Sequence, residues 1–581
     1  MGFYAESVPE PPVTNESGVV SGRYRGAGIL EGAPPRVFER FYRVQTPGPR
    51  ETSHSHLGPF SASSKVRGLT WCAHPKTWTE KRGVLTTNRG DVPFGERKRM
   101  SFGALACLSV LILFVANCSG SATSSSETSQ EEETASATDR PNMIFVLTDD
   151  LDYASVQKMP GLRSVMAEEG VSFENAFTSQ SLCCPSRATS LTGLYAHNHQ
   201  IKGNKPPDGG FEKFRDEGLE ENTIAARLQE EGYQTAFIGK YLNGYPAGDP
   251  SHVPPGWDEW YGKLDEQKLY DYGINHNGEV ISYGSDPQDF ATDVLSDVAN
   301  DFVSGAASDS RPFFVYLAPT APHTPATPAP RHQGAFAGEK APRSPSFDEE
   351  DVSDKPSWLR DDTERFDNED ISDIDHHYRD RLESMLAVDE MVASLVEELE
   401  AAGELDNTYV IFTSDNGYLL GEHRNNEQKD RPYEESARVP LYVRGPGITP
   451  ETQVDELVLN NDLVPTFAEL AGVELGEEET DGRSLLPLLR GEEPRWWRST
   501  ILLEGFVGKG ARAYGAVRTK THKYVEYGNG EAELYDLGAD PYELENVYET
   551  AEPSLIEDLR ARLEALRDCE GDGCREAEDA P

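Results

Sequence analysis

The 581-residue sequence predicts an α/β fold with a large, mostly parallel sheet flanked by helices, followed by a smaller antiparallel sheet. Two observations carry this. Between residues 140 and 489 short apolar runs alternate with helix-period segments, as in a sheet with helical crossovers. Past about residue 490 the pattern changes to short alternating runs such as "YGAVRTKTHKYVEYG" and "AELYDL", which suit an antiparallel sheet packed on the main domain.

Residues 1–99 are rich in Pro, Gly, Ser and Arg and show no sustained apolar period. They read as a disordered or non-native extension, with translation starting near Val84, Val92 or Met100. A basic "GERKRM" then leads into the apolar run Ala104–Ala116, which has the form of a secretory signal and is too short to span a bilayer comfortably. Cys118 follows a small-residue stretch, so the segment 100–118 resembles a bacterial lipoprotein signal and Cys118 a lipidation site, although Asn117 departs from the usual small residue. Residues 119–139 make a polar acidic tether with too little apolar content to fold. The expected location is extracytoplasmic, with a lipid anchor at Cys118 as one form of it.

The catalytic domain is expected over 140–489, with strand candidates Met143–Leu147, Thr235–Ile238, Phe313–Leu317 and Tyr409–Phe412. Leu382 to Leu399 carries apolar residues at helical spacing on one face. The stretch 345–375 reads as a long acidic loop, a solvated lid or insertion with His376 and His377 just beyond it. A C-terminal subdomain and acidic tail occupy 490–581.

The formal net charge of -47 excludes polyanion binding as the main task, because such a surface repels nucleic acid. Seven cysteines are too few for a disulfide scaffold. Cys569 and Cys574, in a polar Gly-containing turn, are either a local disulfide or two free thiols.

Each strand candidate ends in a polar cluster: Asp149-Asp150, Gly239-Lys240, "PTAPHTP" with His323, and Ser414-Asp415-Asn416-Gly417. Ligands of open α/β sheets bind outside the carboxyl ends of the strands, so these clusters can converge on one crevice. Asp149, Asp150, Asp415 and Asn416 are hard oxygen donors suited to Ca2+ or Mg2+ rather than zinc. Singly, "DD" also reads as a helix N-cap and "SDNG" as a plain turn.

Between these clusters lies "CCPSRATSLTG" (183–193), which fits Cys-x-Pro-Ser-Arg-x-x-x-Leu-Thr-Gly. With "GYQTAFIGKYL" (232–242), "TSDNG" and a later lysine, in this order over 140–550, it resembles the formylglycine-dependent (type I) sulfatases. "LTGLYAHNHQ", "GKYLNGY", "HVPPGWDEWY" and "DCEGDGC" resemble the N-acetylglucosamine-6-sulfatase branch of that family. The related heparan endosulfatases carry a long basic insertion that this chain lacks.

The resemblance implies an alkaline-phosphatase-like sandwich and an enzyme that removes the 6-O-sulfate of N-acetylglucosamine in glycosaminoglycan-type substrates. It implies that a formylglycine-generating enzyme converts Cys183 to formylglycine (3-oxoalanine), whose hydrate is the nucleophile; Cys184 is the variable position and a small buried neighbour. Asp149, Asp150, Asp415 and Asn416, with the oxygen at 183, would hold one Ca2+, with Mg2+ as the alternative. Arg187 would hold the hydrate, Lys240 and Lys429 would bind the sulfate oxygens, and His323 would act as acid for the leaving alcohol or base for sulfate release. Arg431 competes with Lys429 for its role. Where many sulfatases have a histidine after the "GK" lysine, Leu242 and Asn243 follow here, and His197, His199 or Asn243 are candidates for that contact from just outside the site. The other readings are an arylsulfatase, a phosphodiesterase or phosphonate hydrolase of the same superfamily, and a surface lipoprotein that binds sulfated glycans without turnover. The motifs point to a glucosamine-6-sulfate without fixing the exact sugar or linkage, and oligomeric state has no signal in the sequence.

Overall fold

A computed structural model describes residues 140–579 apart from 493, 495 and 507–511. The leader, the Cys118 site and the tether lie outside the described residues. The strands in chain order are β1 (Asn142–Thr148), β2 (Val171–Phe177), β3 (Gln234–Gly239), β4 (Glu259–Lys263), β5 (Gly273–His276), β6 (Glu279–Ser282), β7 (Phe313–Ala318), β8 (Thr408–Ser414), β9 (Leu419–Leu420), β10 (Asn426–Gln428), β11 (Leu441–Arg444) and β12 (Thr452–Leu459). A short β9–β10 hairpin stands apart, and the other ten form one sheet in the order β12-β2-β11-β8-β1-β7-β3-β4-β5-β6. The stretch from β8 to β4 is wholly parallel, whereas β11 runs antiparallel between β2 and β8, and β5 and β6 run antiparallel at the other edge.

The central strands are apolar on both faces because both faces are covered. Phe145, Leu147, Phe314 and Tyr316 point into a core shared with the helices α1 (Cys183–Thr192), α2 (Ile224–Glu230) and α5 (Leu463–Ala471). Ile144, Val146, Val315 and Leu317 point the other way, onto α3 (Ala291–Ala306) and α4 (Asn368–Ala402). Such two-sided burial makes a strand read as a continuous hydrophobic run.

α4 corrects one expectation. The stretch 345–375 is not a solvated lid. Its last eight residues are the first turns of α4, begun by a capping box in which Asp367 accepts from the Asp370 amide and Asp370 from the Asp367 amide. Upstream, Val352, Trp358 and Leu359 are buried against the C-terminal sheet, and the Lys355 ammonium donates to the carbonyls of Glu543 (2.6 Å) and Leu544 (2.9 Å). The segment is a strap between the two sheets, whose acids mask a buried apolar core.

The second sheet is an antiparallel meander of β13 (Thr500–Gly505), β14 (Tyr514–Thr519), β15 (His522–Tyr527) and β16 (Ala532–Asp536). It shares its core with Phe177 and Tyr195 of the first region and with Leu559, Leu563 and Leu566 of α6 (Pro553–Arg567). Cys569 and Cys574 are joined by a disulfide just before and within α7 (Asp572–Glu578). Among the described residues no helix is long and apolar enough to cross a membrane.

Candidate active site

Register brings the strand ends together. Thr148 pairs with Ser414 across β1 and β8, so Asp149 and Asp415 leave the sheet side by side. Gly239 pairs with Ala318 across β3 and β7, and the Lys240 amide donates to the Ala318 carbonyl at 2.9 Å. His323 follows β7 by a short turn. Thus the four polar clusters meet at one edge.

Cys183 enters this edge from the first turn of α1. Arg187 lies one turn on, on the same helix face. α1 ends at Gly193, whose φ is +77° and whose place a side chain could not take: a Cβ there would lie 2.4 Å from Thr480 Oγ1. The terminal glycine of the motif is therefore a packing requirement of the helix end.

The cluster is buried apart from His323 and Lys429, which are partly exposed. Cys183 Sγ lies 3.5 Å from Asp149 Oδ1, 3.7 Å from Asp150 Oδ1 and 2.8 Å from Lys429 Nζ. Lys429 also donates to Asp150 Oδ1, and Lys240 Nζ donates to Asp149 Oδ2 at 2.6 Å. Arg187 Nε donates to Asp415 Oδ2 (2.7 Å) and Nη1 to the Lys240 carbonyl (2.7 Å), while Nη2 has no hydrogen-bond partner. Asp150, in the left-handed region with φ +69°, donates its amide to Asp415 Oδ1 at 3.0 Å. His323 Nδ1 donates to the Thr324 carbonyl at 2.7 Å, which leaves Nε2 3.7 Å from Asp150 Oδ2.

Three buried carboxylates and three buried cations thus cancel. Burial alone would raise the Asp149 carboxyl, but Lys240, helped by His323, Arg187 and Lys429, holds it well below the usual range. Burial opposes ionisation of Asp150 too, and Lys429 and His323 outweigh it. Asp415 goes the other way: burial and the Asp149 charge, against Arg187, push it up to about 6. Burial keeps the Cys183 thiol well above its ordinary value in spite of Lys240 and Lys429. An unmodified Cys183 is therefore protonated at neutral pH, a poor nucleophile.

The donor set suits a divalent cation. Ligand atoms of Asp149, Asp150, Cys183 and His323 lie within 4.8 Å of one another. Asn416 Oδ1 is buried and accepts no hydrogen bond, the condition of an oxygen that lacks its cation. A divalent ion added to a site whose own charges cancel leaves it positive, which suits an anionic ligand.

Other expected residues lie elsewhere. His199 spends both ring nitrogens on Thr189 Oγ1 (3.1 Å) and the Ile201 amide (3.0 Å), and His197 contacts Glu504 (2.8 Å) and the Cys569 carbonyl (3.0 Å). His197 holds the junction with the C-terminal region and His199 braces α1 from within the first region, and none of these contacts takes either to the carboxylate cluster. Asn243 is buried, with Oδ1 unbonded, and its carbonyl accepts from the Phe211 amide at 2.8 Å. Cys184 sits in the apolar core, its thiol pushed up to about 12 by burial. Arg431 lies over the Trp358 ring, 5.0 Å from its centroid, whereas Lys429 faces Cys183.

Two cations at the site had no signal in the sequence. Arg381 of α4 is buried, donates to the Asp150 carbonyl and stacks 4.2 Å from the Tyr418 centroid. Lys263 ends β4 and donates to the Asp265 carbonyl at 2.6 Å; burial and the neighbouring Lys240 bring its ammonium down to about 7. Neither is marked by a motif. The parallel register of β3 and β4 is what puts the second beside Lys240's strand.

Comparison with known proteins matches residues 141–473 to the sulfatase family model and residues 421–569 to the model for the C-terminal region of N-sulphoglucosamine sulphohydrolase. The chain is 37% identical to human N-acetylglucosamine-6-sulfatase over 483 residues, 76% of this chain and 87% of the relative. It is 29% identical to an N-acetylglucosamine-6-O-sulfatase of Bacteroides thetaiotaomicron, over 73% of this chain and 84% of that one. A solved structure of BT4656 in complex with its substrate D-glucosamine-2-N,6-O-disulfate superposes with a TM-score of 0.62 at 28% identity, covering 76% of this chain and 99% of that one.

Proposed function

Because this chain belongs to the sulfatase family and is a sulfatase, we propose that it removes the 6-O-sulfate of N-acetylglucosamine-type sugars in glycosaminoglycan-like material. The relatives named for that activity support the substrate. The observation that carries the reaction is the charge-balanced cluster around Cys183, with Lys429 Nζ 2.8 Å from Sγ.

Hydrolysis of a sulfate monoester needs fixed positive charge around the sulfate and a proton for the bridging oxygen. Converted to formylglycine, residue 183 would supply a hydroxyl nucleophile that can be regenerated; Asp149, Asp150, Asp415 and Asn416 would hold a Ca2+ (or Mg2+), which would supply Lewis-acid polarisation there. Arg187 fixes the second carboxylate layer through Asp415 and keeps Nη2 free for an oxygen at 183. Lys240 and Lys429 exchange part of their carboxylate contacts for sulfate oxygens. His323, whose Nδ1–H is held by the Thr324 carbonyl, presents Nε2 to the leaving oxygen and, acting as the imidazolium with a second proton on Nε2, gives it that proton. We further read 140–489 as the catalytic domain, 490–581 as its C-terminal subdomain, and the protein as exported.

The test is a panel of sulfated monosaccharides with sulfate release measured with and without EDTA, together with mass spectrometry of the peptide containing residue 183 from the native host. Release from glucosamine-6-sulfates, lost on metal removal, and an aldehyde mass at 183 are expected. Faster turnover of phosphonate or aryl esters would overturn the substrate; an intact thiol in active native protein would overturn the nucleophile.

A further inference from the structure

A second group of ligand-type side chains is buried where the segment after β8 meets the C-terminal sheet. A ring nitrogen of His423 and carboxylate oxygens of Glu435 and Glu543 lie within 4.8 Å of one another. His423 is fully buried and held on two sides: Nδ1 donates to Glu349 Oε2 at 2.8 Å, and the ring stacks on Tyr433 with centroids 4.0 Å apart. That tautomer leaves a lone pair on Nε2, which has no hydrogen-bond partner. Glu435 Oε2 is likewise buried and unbonded, and its Oε1 receives only a 3.5 Å contact from Ser346 Oγ.

The nearby cations leave Glu435 and His423 unpaired, although Lys523 is engaged with Glu543, whose Oε2 also accepts from the Glu434 amide at 2.9 Å. Lys523 pairs with Glu434 (2.8 Å) and Glu543 (2.7 Å), Arg518 with Glu434 (3.3 Å), and Lys355 with Glu349 (3.5 Å). Burying an acceptor with no donor costs about 1–3 kcal/mol, and two such acceptors, His423 Nε2 and Glu435 Oε2, belong to residues of this one group. They are not hydrogen-bonded to each other, and a cation would satisfy both.

We propose that His423, Glu435 and Glu543 bind one divalent cation of borderline character, Zn2+ or Mn2+. One imidazole and two carboxylates suit such ions, whereas Ca2+ takes an all-oxygen set. The Glu349–His423 contact is the carboxylate–imidazole partnership that orients metal-binding histidines. Ligand atoms around tetrahedral zinc stand about 3.4 Å apart given bonds of about 2.0–2.2 Å, so a small inward rotation of the glutamates closes the site. Glu422, Glu434 and Glu435 line a cavity of about 620 Å³, which gives the ion a way in. His423 and Glu435 bracket the loop that carries Lys429, and Glu543 follows β16, so the ion ties that loop to the C-terminal sheet. The proposal is independent of the reaction assigned above.

The experiment uses the full chain, stripped with chelator and titrated calorimetrically with Zn2+ and, separately, Mn2+, plus crystals grown with Zn2+ and measured above the zinc absorption edge. The site is expected to persist in an Asp150→Asn/Asp415→Asn variant and to give an anomalous peak among His423, Glu435 and Glu543. Glu435→Gln should abolish it, and Glu349→Gln should weaken it by about 10–100-fold. No anomalous peak there, or binding unchanged in Glu435→Gln, overturns the proposal. Should Glu435→Gln fail to fold, the anomalous map of the unsubstituted chain decides alone.

Discussion

Replacing Asp415 with asparagine is expected to stabilise the metal-free protein while removing its turnover. Burial and the Asp149 charge raise the Asp415 carboxyl from 3.8 to about 6, even beside Arg187. A rise of about two units, at about 1.36 kcal/mol each, means that the ionised carboxylate costs the fold about 3 kcal/mol at neutral pH. The sign follows from which state holds the proton longer. Here it is the folded one, so stability falls as pH climbs from about 4 to about 6 and is level above that. Asparagine has the shape of the protonated acid and carries no such slope. The assay is urea unfolding in EDTA at several pH values: the variant should lead by about 3 kcal/mol near pH 7.5, and the gap should close towards pH 4. Calcium at a thousand times its Kd adds about 4 kcal/mol to the parent protein alone and reverses the order. A variant less stable than the parent in EDTA near pH 7.5 would refute the reasoning, because the Arg187 pair would then outweigh the burial and repulsion.

Cys183→Ala should reduce sulfate release to background with the fold intact, whereas Cys184→Ala should keep its activity and lose about 1 kcal/mol for one core atom group; sulfate assays and unfolding midpoints check both. His323→Ala should slow sugar sulfates by about 10²–10⁴-fold but 4-nitrophenyl sulfate far less, since a phenolate leaves without a proton; equal losses on both would contradict the acid role. Arg498→Met should cost about 3–5 kcal/mol in unfolding experiments, since it strips the buried pairing from Asp462 Oδ1 (2.5 Å) and Glu578 Oε2 (3.1 Å).

Legibility in the sequence followed burial. β1, β3, β7 and β8 stand out because both faces are covered, which makes each an apolar run, and because each run stops at the polar residues of the site. β6 has no such signal: Glu279, Val280 and Ser282 are exposed at the sheet edge. The strap around Trp358 was hidden by its acids, since acidic residues dominate its composition while Val352, Trp358 and Leu359 do the packing. Likewise the first half of α4 is polar enough to pass for loop, though Ile374 and Tyr378 anchor it. Between Lys429 and Arg431 the sequence favours Lys429 by a narrow margin; in the structure Arg431 lies over the Trp358 ring while Lys429 Nζ lies 2.8 Å from Cys183 Sγ. Arg381 and Lys263 reach the site through tertiary placement only, so local pattern carries no trace of them.

The grip on α1 has a consequence in time. Cys183 is completely buried, and the helix it opens is held from far along the chain: Asn460 Nδ2 donates to Ser186 Oγ at 3.0 Å, and Tyr195 Oη, just past the helix end, donates to Glu578 Oε1 at 2.5 Å. Glu578 follows Cys183 by 395 residues (578 minus 183). At roughly 5–20 residues per second, about 20–80 seconds of synthesis separate the two. During that interval the segment 183–187 has emerged without the partners that will lock it. If an enzyme alters the Cys183 thiol, as proposed above, it would have to reach it before the lock closes, and a mutation that speeds collapse around α1 would then lower the active fraction of a folded product.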